Sequence, residues 1–220
     1  MQRHFLQELE ELKSRLVRMG SLVERAVADA LRGLFDRDVE AAHSVLRQEV
    51  EINAFEIEVD NGVVDLLALH QPVATDLRFI LAGMKINNDL ERLGDHAVNI
   101  AQSAISCAAR PPIPIPPDIS RMAEITREMM KSALDSFIHS TPALSRKVLA
   151  LDDTIDEMNR RVASHLAGVI RSHPESVEQA LDLMRVSRNL ERIADLTTNI
   201  AEEVIFVAEA QVVKHQTDRK

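Results

Sequence analysis

Several residue types are scarce in this chain. Tryptophan and tyrosine are absent, and the 220 residues include only six glycines and one cysteine. The single cysteine, Cys107, cannot form an internal disulfide, which agrees with a reducing compartment and with a role as a small buried side chain. The scarcity of glycine, together with many Ala, Leu, Glu and Arg residues, favours helix throughout. The composition therefore predicts an all-α protein.

Charge and hydropathy disfavour two further classes of protein. The net charge is -9 and no dense Lys/Arg run occurs, so direct binding of nucleic acid is not expected. Charged residues interrupt every apolar stretch of residues 1–10, unlike the apolar segment of a signal peptide. No stretch approaches the roughly 20 apolar residues of a membrane span. We therefore expect a cytoplasmic protein.

Apolar residues recur at spacings of three and four, the pattern of amphipathic helices packed in a bundle. The pattern predicts six long helices, with apolar stripes over residues 5–30, 52–66, 86–104, 119–137, 148–169 and 186–204. Residues 110–117 separate the third stripe from the fourth and contain five prolines, which a helix cannot cross. Three helices are thus expected on each side of a proline-rich linker.

The third and sixth predicted helices also resemble each other in sequence. Residues 89–101 recur as residues 189–201, and 7 of the 13 positions are identical. This repeat predicts two tandem three-helix bundles. We place the first bundle at residues 1–109, the linker at 110–117 and the second bundle at 118–220.

The repeated segment carries a row of acidic side chains. Residues four apart share one face of a helix, so Glu91 stacks on Asp95 and Glu191 on Asp195. At about 100° per residue, this row lies nearly opposite the apolar stripe, and we expect its carboxylates to face outward. The middle helix of each half adds a second row of oxygen ligands: Glu49, Asn53, Glu56 and Asp60 in the first half, and Asp152, Asp156 and Asn159 in the second.

Two interpretations of these rows stay open. Carboxylates flanking a groove favour a hard cation, because the metal relieves the repulsion between like charges. A solvated helix face is the simpler interpretation, since Arg92 and Arg192 lie three residues before Asp95 and Asp195, where local ion pairs form. Recurrence of both rows in both halves raises the weight of the metal hypothesis. His96, at the flank of the apolar stripe, is expected to pack rather than to bind metal.

Three short motifs carry a family resemblance. They are LERLGDHA at residues 90–97, LERIAD at residues 190–195 and QPVATDLR at residues 71–78. In this combination they resemble the two-copy signature of the PhoU family of phosphate-uptake regulators. The resemblance implies two pseudo-symmetric three-helix bundles. It also implies multinuclear clusters of iron or another hard metal, bound through paired E/D-x-x-x-D motifs that match Glu56/Asp60, Glu91/Asp95, Asp152/Asp156 and Glu191/Asp195. Asn53 and Asn159 would be weaker ligands.

The resemblance further implies a function in phosphate homeostasis. The chain would limit phosphate uptake and dampen the phosphate-starvation response. It would do so as an adaptor between the ATPase subunit of a phosphate ABC transporter and a phosphate-sensing histidine kinase, and thus lie peripherally at the membrane through these partners. A homodimer is a further candidate assembly.

Two alternatives to this function remain. One is an accessory protein of an ion-coupled phosphate transporter, which shares the helical architecture. The other is a di-iron carboxylate enzyme, which is weaker because such bundles use two E-x-x-H units and this sequence offers one, from Glu40 to His43. No phosphate-binding loop and no nucleophile with a base stands out, so we do not expect an enzyme.

Overall fold

The computed structural model describes residues 2–213, which form seven α-helices and no strand. The first half contains α1 (Gln2–Phe35), α2 (Val39–His70) and α3 (Ala74–Ala108). The second half contains α4 (Pro117–His139), α5 (Pro142–Leu149), α6 (Asp152–Ser172) and α7 (Val177–Glu209), with a short 3-10 turn at Pro174–Ser176. The all-α prediction is therefore confirmed. Each helix in residues 2–213 is too short or too polar to cross a lipid bilayer.

Helices α1, α2 and α3 pack against one another along their predicted apolar stripes. Leu16 of α1, Ile52 of α2 and Leu90 of α3 are almost fully buried. Asp38 begins α2 as its N-cap, because its Oδ1 accepts a hydrogen bond of 3.0 Å from the otherwise unpaired backbone N–H of Ala41. The first half is thus a three-helix bundle whose core is made of the residues that the periodicity selects.

The second half contains one helix more than the periodicity predicts. The stripe over residues 148–169 predicts a single helix, whereas α5 ends and α6 begins within it. The Leu151 N–H donates to the Val148 carbonyl at 3.0 Å, which forms a tight turn between the two helices. Val148 and Ile155 are both buried, so the apolar spacing continues across the turn and conceals it.

Helices α3 and α7 join the two halves. They pack side by side in antiparallel order, as three contacts show: Lys85 with Glu203, His96 with Asn189, and Ser106 with Asp182. Helix α7 also packs against α4, α5 and α6. It is therefore surrounded on several sides, which determines the burial of its acidic residues.

The proline-rich segment crosses one end of this helix pair. Residues 110–116 form no helix, as their prolines predict, and α4 begins at Pro117, where a missing N–H costs no helical hydrogen bond. Arg37 donates hydrogen bonds of 2.8 Å to the carbonyls of Ala108 and Arg110, and Gln179 donates one of 3.2 Å to the carbonyl of Pro111. Side chains from both halves thus hold the start of this segment.

Candidate functional site

The second half brings three of the predicted carboxylates together. Asp156 of α6 and Glu191 and Asp195 of α7 can each place one oxygen within 4.8 Å of the others. Asp152 lies one turn before Asp156 on the same helix. Burial, together with the negative charges of Asp195 and Asp156, raises the pKa of Asp152 to about 6. The two oxygen rows therefore meet between α6 and α7. We call these four residues the second-half cluster.

Glu191 does not face outward, and the prediction that it would is wrong. Its exposed fraction is 7%, because α7 is covered on several sides by other helices. Arg188 Nη1 donates a hydrogen bond of 2.5 Å to Oε1, while buried Oε2 has no hydrogen-bond partner and lies 3.7 Å from Arg192 Nε. Burial raises the pKa of Glu191, and the neighbouring Asp195 adds to the rise.

The first half forms a more open version of this arrangement. Burial raises the pKa of Glu91, and the negative charges of Asp95, Glu56 and Glu49, which lie within electrostatic range of it, contribute to the rise. Asp95 is exposed and Glu91 is half-buried. We call these four residues the first-half cluster. Asn53, the other predicted ligand of this row, is exposed.

The remaining predicted ligands are held by neighbouring polar side chains. Asp60 Oδ1 accepts a hydrogen bond of 2.9 Å from Asn87 Nδ2, and Asn159 Oδ1 accepts one of 2.7 Å from Ser187 Oγ. Because residues 87 and 187 are equivalent in the repeat, Asp60 corresponds to Asn159. Glu56, which lies near Glu91, then corresponds to Asp156, which lies near Glu191. Residues four apart in the first half thus take the places of residues three apart in the second, and the E/D-x-x-x-D motifs Glu56/Asp60 and Asp152/Asp156 do not occupy equivalent positions.

The arginines next to the clusters behave differently in the two halves. Arg192 Nη1 donates to Asp195 Oδ2 at 3.0 Å, the local pair that its spacing predicts. Arg92 instead lies 3.7 Å from Asp89, which is three residues before it in the sequence, whereas Asp95 is three residues after it. A local arginine therefore shares one carboxylate of the second-half cluster, which keeps the solvated-face interpretation open for Asp195.

His96 lies between the two halves rather than in a cluster. Its Nδ1 is 2.8 Å from Asn189 Oδ1, and the side chain is half-buried in the α3–α7 contact. This agrees with the predicted packing role.

Sequence reasoning overlooked a polar groove beside the first-half cluster. Within this groove, Lys85 of α3 contacts Glu203 of α7, with nitrogen–oxygen distances of 3.0 and 3.1 Å. The groove has a volume of about 440 Å³ and is lined by Glu56, Asp60, Met84, Lys85, Asn88, Asp89, Asn199 and Glu203. A signal for Glu203 was present, because it continues the four-residue spacing of Glu191, Asp195 and Asn199.

These features define a class of protein: an all-helical duplicated bundle whose polar residues gather on helix faces. The PhoU domain model matches residues 16–104 and again residues 119–204. The chain therefore belongs to the PhoU family.

Curated relatives support this membership over nearly the whole chain. The phosphate-specific transport system accessory protein PhoU homolog of Aquifex aeolicus is 38% identical over 209 residues, covering 95% of each chain. The homolog of Clostridium acetobutylicum is 34% identical over 204 residues, covering 92% of this chain and 93% of its own length. The names of these relatives describe accessory proteins of phosphate transport.

Solved structures show the same architecture. The crystal structure of PhoU from Pseudomonas aeruginosa has a TM-score of 0.90 at 33% identity and covers 94% of this chain and 100% of its own. The phosphate transport system regulatory protein PhoU from Streptococcus pneumoniae has a TM-score of 0.87 at 26% identity and covers 95% of this chain and 99% of its own. The duplicated helical fold predicted from the sequence is confirmed.

Proposed function

We propose that this protein is a cytoplasmic, non-enzymatic regulator that limits phosphate uptake and represses the phosphate-starvation response. It acts as an adaptor between the ATPase subunit of a phosphate ABC transporter and a phosphate-sensing histidine kinase, and is peripheral to the membrane through these partners. The observation that carries this proposal is the near full-length similarity to proteins named as accessory and regulatory components of phosphate transport. Both repeats take part in that similarity.

The proposal includes metal binding by the acidic clusters. The second-half cluster fits a hard cation, because Glu191 Oε2 is buried without a hydrogen-bond partner and two further carboxylates lie within reach. Oxygen ligands favour iron, manganese, magnesium or calcium over zinc. The first-half cluster would form a second metal centre. Asp60 and Asn53 would lie at the margin of this centre, and Asn159 at the margin of the centre in the second half. The proposed metal includes a multinuclear iron cluster bound by these carboxylates.

The division of the chain into residues 1–109, a linker at 110–117 and residues 118–220 is part of the same proposal. Residues 1 and 214–220 of these ranges lie outside the described part of the chain. Two homologous bundles would allow each half to present its own partner surface. A homodimer would double these surfaces.

Two alternatives differ in what they require. An accessory role for an ion-coupled phosphate transporter would leave the fold and the clusters unchanged and replace the partner. The di-iron enzyme needs inward-facing E-x-x-H units, whereas Glu40 and His43 are both exposed and Glu40 is paired with Arg47 at 2.8 Å. The exposure of both residues does not support the di-iron alternative.

A pull-down with the full chain as bait tests the adaptor role. Detergent-solubilised membranes from phosphate-replete and phosphate-starved cells of the source organism are passed over the immobilised protein, and a helical protein of similar net charge is the control bait. We expect the ATPase subunit of a phosphate ABC transporter and a sensor kinase in the specific fraction. Recovery of an ion-coupled phosphate transporter instead would establish the first alternative, and recovery of neither system would contradict the proposal.

A further inference from the structure

The outward face of α2 carries a row of large apolar side chains that no other helix covers. Val50, Ile57 and Val64 are 72%, 61% and 62% exposed. They lie seven residues apart, so two turns of helix separate each from the next and all three point in one direction. Ala54, Asn61 and Ala68 occupy the positions between and after them and are also exposed. We call these six residues the α2 seam.

The seam has the spacing of one half of a coiled coil. Alternating steps of four and three place apolar residues along one narrow line, the arrangement that receives the apolar residues of a second helix. Its single polar member, Asn61, occupies a position where one amide side chain typically specifies the register of a helix pair. Scattered exposed apolar residues need no explanation, but a row at heptad spacing indicates an interaction surface.

The fold itself does not require this row. Helix α6 packs against α7 as α2 packs against α3, and it is the middle helix of the second half. Its exposed positions include Glu157, Arg161 and Ser164, and no large apolar residue of α6 is among the exposed ones in the described part of the chain. One bundle thus has a polar outer face and the other an apolar seam.

Carboxylates flank the seam on both sides. Glu51, Glu58 and Asp65 repeat at seven residues along one side and are all exposed. On the other side lies the oxygen row formed by Glu49, Glu56 and Asp60. Helix α2 contains seven acidic residues, the six just named and Glu40, but only one Lys or Arg, which is Arg47.

Three arginines lie near the seam. Arg47 is paired with Glu40 at 2.8 Å. Arg15 of α1 donates to the backbone carbonyl of Glu58 at 3.1 Å, and Arg18 lies over the Phe55 ring, 5.1 Å from its centroid. The six flanking carboxylates outnumber these three arginines, so the flanks present a net negative potential to a helix that approaches the seam.

We propose that the α2 seam is a docking site for a basic amphipathic helix of a partner protein. Apolar side chains of that helix would fill the seam, and its Lys and Arg residues would pair with Glu51, Glu58 and Asp65, the flank that belongs to neither acidic cluster. A second copy of this seam is a poor occupant, because like charges would face each other along both flanks. An anionic lipid surface is disfavoured for the same reason, since membrane-surface helices carry basic flanks.

This inference deepens the proposed adaptor function and rests on it for the existence of a protein partner. Its test is independent of the transporter and the kinase. The probe is a fluorescently labelled synthetic peptide of about three heptads, with Leu at the a and d positions and Lys at the e and g positions. Binding to the purified full chain is followed by fluorescence anisotropy at two salt concentrations. One control peptide has the same composition with its apolar positions scrambled, and another has Glu in place of Lys.

The decisive variant is Val50→Gln/Ile57→Gln/Val64→Gln, in which glutamine keeps helix propensity and removes the apolar surface. We expect affinity for the basic peptide to fall about tenfold, or about 1.4 kcal/mol. The matched control, Leu6→Gln/Leu181→Gln, removes exposed apolar residues elsewhere and should bind normally. A third variant, Glu51→Gln/Glu58→Gln/Asp65→Asn, should weaken binding and reduce its salt dependence.

Several outcomes would overturn the proposal. Equal binding of the scrambled peptide would show nonspecific attraction to an acidic protein, and undiminished binding by the triple Gln variant would place the peptide elsewhere. A wild-type dimer in sedimentation velocity that the triple variant abolishes would identify a second copy as the occupant, and seam-dependent binding to phosphatidylglycerol vesicles would identify a lipid surface.

Circular dichroism checks that the variants fold, and Ile57→Gln alone replaces the triple variant if the latter unfolds. If the peptide does not bind while the pull-down recovers the transporter subunit and the kinase, the docking role of the seam is refuted and the adaptor role stands.

Discussion

Lys85 Nζ lies 3.0 and 3.1 Å from the two carboxylate oxygens of Glu203, although the two residues are 118 positions apart in the chain. Glu203 is almost fully buried in α7, whereas Lys85 reaches it from α3 with half of its side chain in solvent. A bidentate charge-assisted contact of this kind is stronger than a neutral hydrogen bond. It joins the two halves at one end of the α3–α7 pair.

Lys85→Met should therefore destabilise the protein by about 1 kcal/mol, because a buried carboxylate loses its ammonium partner while the exposed part of the lysine limits the loss. Urea denaturation followed by circular dichroism measures the change. The matched control is Arg121→Met, which removes an ion pair to Glu124 whose two side chains are mostly exposed, and which should change stability little. Equal effects of the two substitutions would contradict the special role of the Lys85 contact.

The second prediction concerns Asp152 and pH. Burial and the charges of Asp195 and Asp156 raise its pKa from 3.8 to about 6, so between these values the folded protein binds more protons than the unfolded chain. This carboxyl group therefore adds stability as the pH falls through 6 and lowers stability as the pH rises.

Asp152→Asn should accordingly stabilise the metal-free protein at pH 7 by about 1 kcal/mol, a value reduced for partial exposure. The gain should disappear near pH 4, where the Asp152 carboxyl group of the folded protein is protonated and neutral, as the asparagine amide is. Thermal unfolding in a chelating buffer from pH 4 to pH 7 measures this difference, with Glu128→Gln on exposed α4 surface as the control. A stabilisation that does not change with pH would rule out the electrostatic explanation.

A third prediction separates the two clusters in the proposed metal binding. Glu191 supplies a buried oxygen without a hydrogen-bond partner, whereas the first-half cluster is more open, so Asp195→Ala should lower metal content more than Asp95→Ala. Elemental analysis after dialysis against iron, manganese, magnesium or calcium salts measures occupancy. The double variant should lose nearly all bound metal and keep its helicity, because the clusters lie outside the apolar core.

The control for this experiment is Glu157→Ala, an exposed carboxylate of α6 that belongs to neither cluster. Full occupancy in the double variant would refute the metal sites. Unfolding of the double variant would show that these aspartates are structural.

A fourth prediction tests the connection between α4 and α5. Ser136 Oγ is 2.8 Å from both the Thr141 carbonyl and Ser145 Oγ, and both serines are fully buried. Ser136→Ala should cost about 1–2 kcal/mol, because it leaves buried polar groups without a partner. Half-buried Ser132→Ala in the same helix controls for the higher helix propensity of alanine. Chemical denaturation measures the stability of both variants. Equal stabilities of the two would exclude a role for the Ser136 contact.

The sequence predicted most of the fold, because burial follows the apolar periodicity closely. Residues such as Leu16, Leu90 and Ile193 belong to stripes that any helical projection identifies, and all three are buried. The turn between α5 and α6 escaped prediction because the buried Val148 and Ile155 lie on either side of it at ordinary helical spacing. An apolar pattern records which residues are buried, not whether the backbone between them is continuous.

The candidate site was harder to predict because a helical wheel treats each helix alone. It places Glu191 opposite the apolar stripe, but the neighbouring helices of α7 also cover that side. The same limitation applies to the matching of Asp60 with Asn159, which depends on how α2 lies against α3 and α6 against α7. Contacts with Asn87 and Ser187 revealed it, and they join residues at least 27 positions apart.

The antiparallel packing of α3 on α7 has a consequence for how the duplicated gene can change. His96 of one copy contacts Asn189 of the other, and the equivalent of His96 in the second copy is Leu196. Because a packed contact tolerates little change in volume or hydrogen bonding on one side alone, a substitution at position 96 alters the constraint on position 189. The two copies therefore diverge as a pair along this contact, so that neither repeat can be exchanged for a duplicate of the other without rebuilding the partner helix.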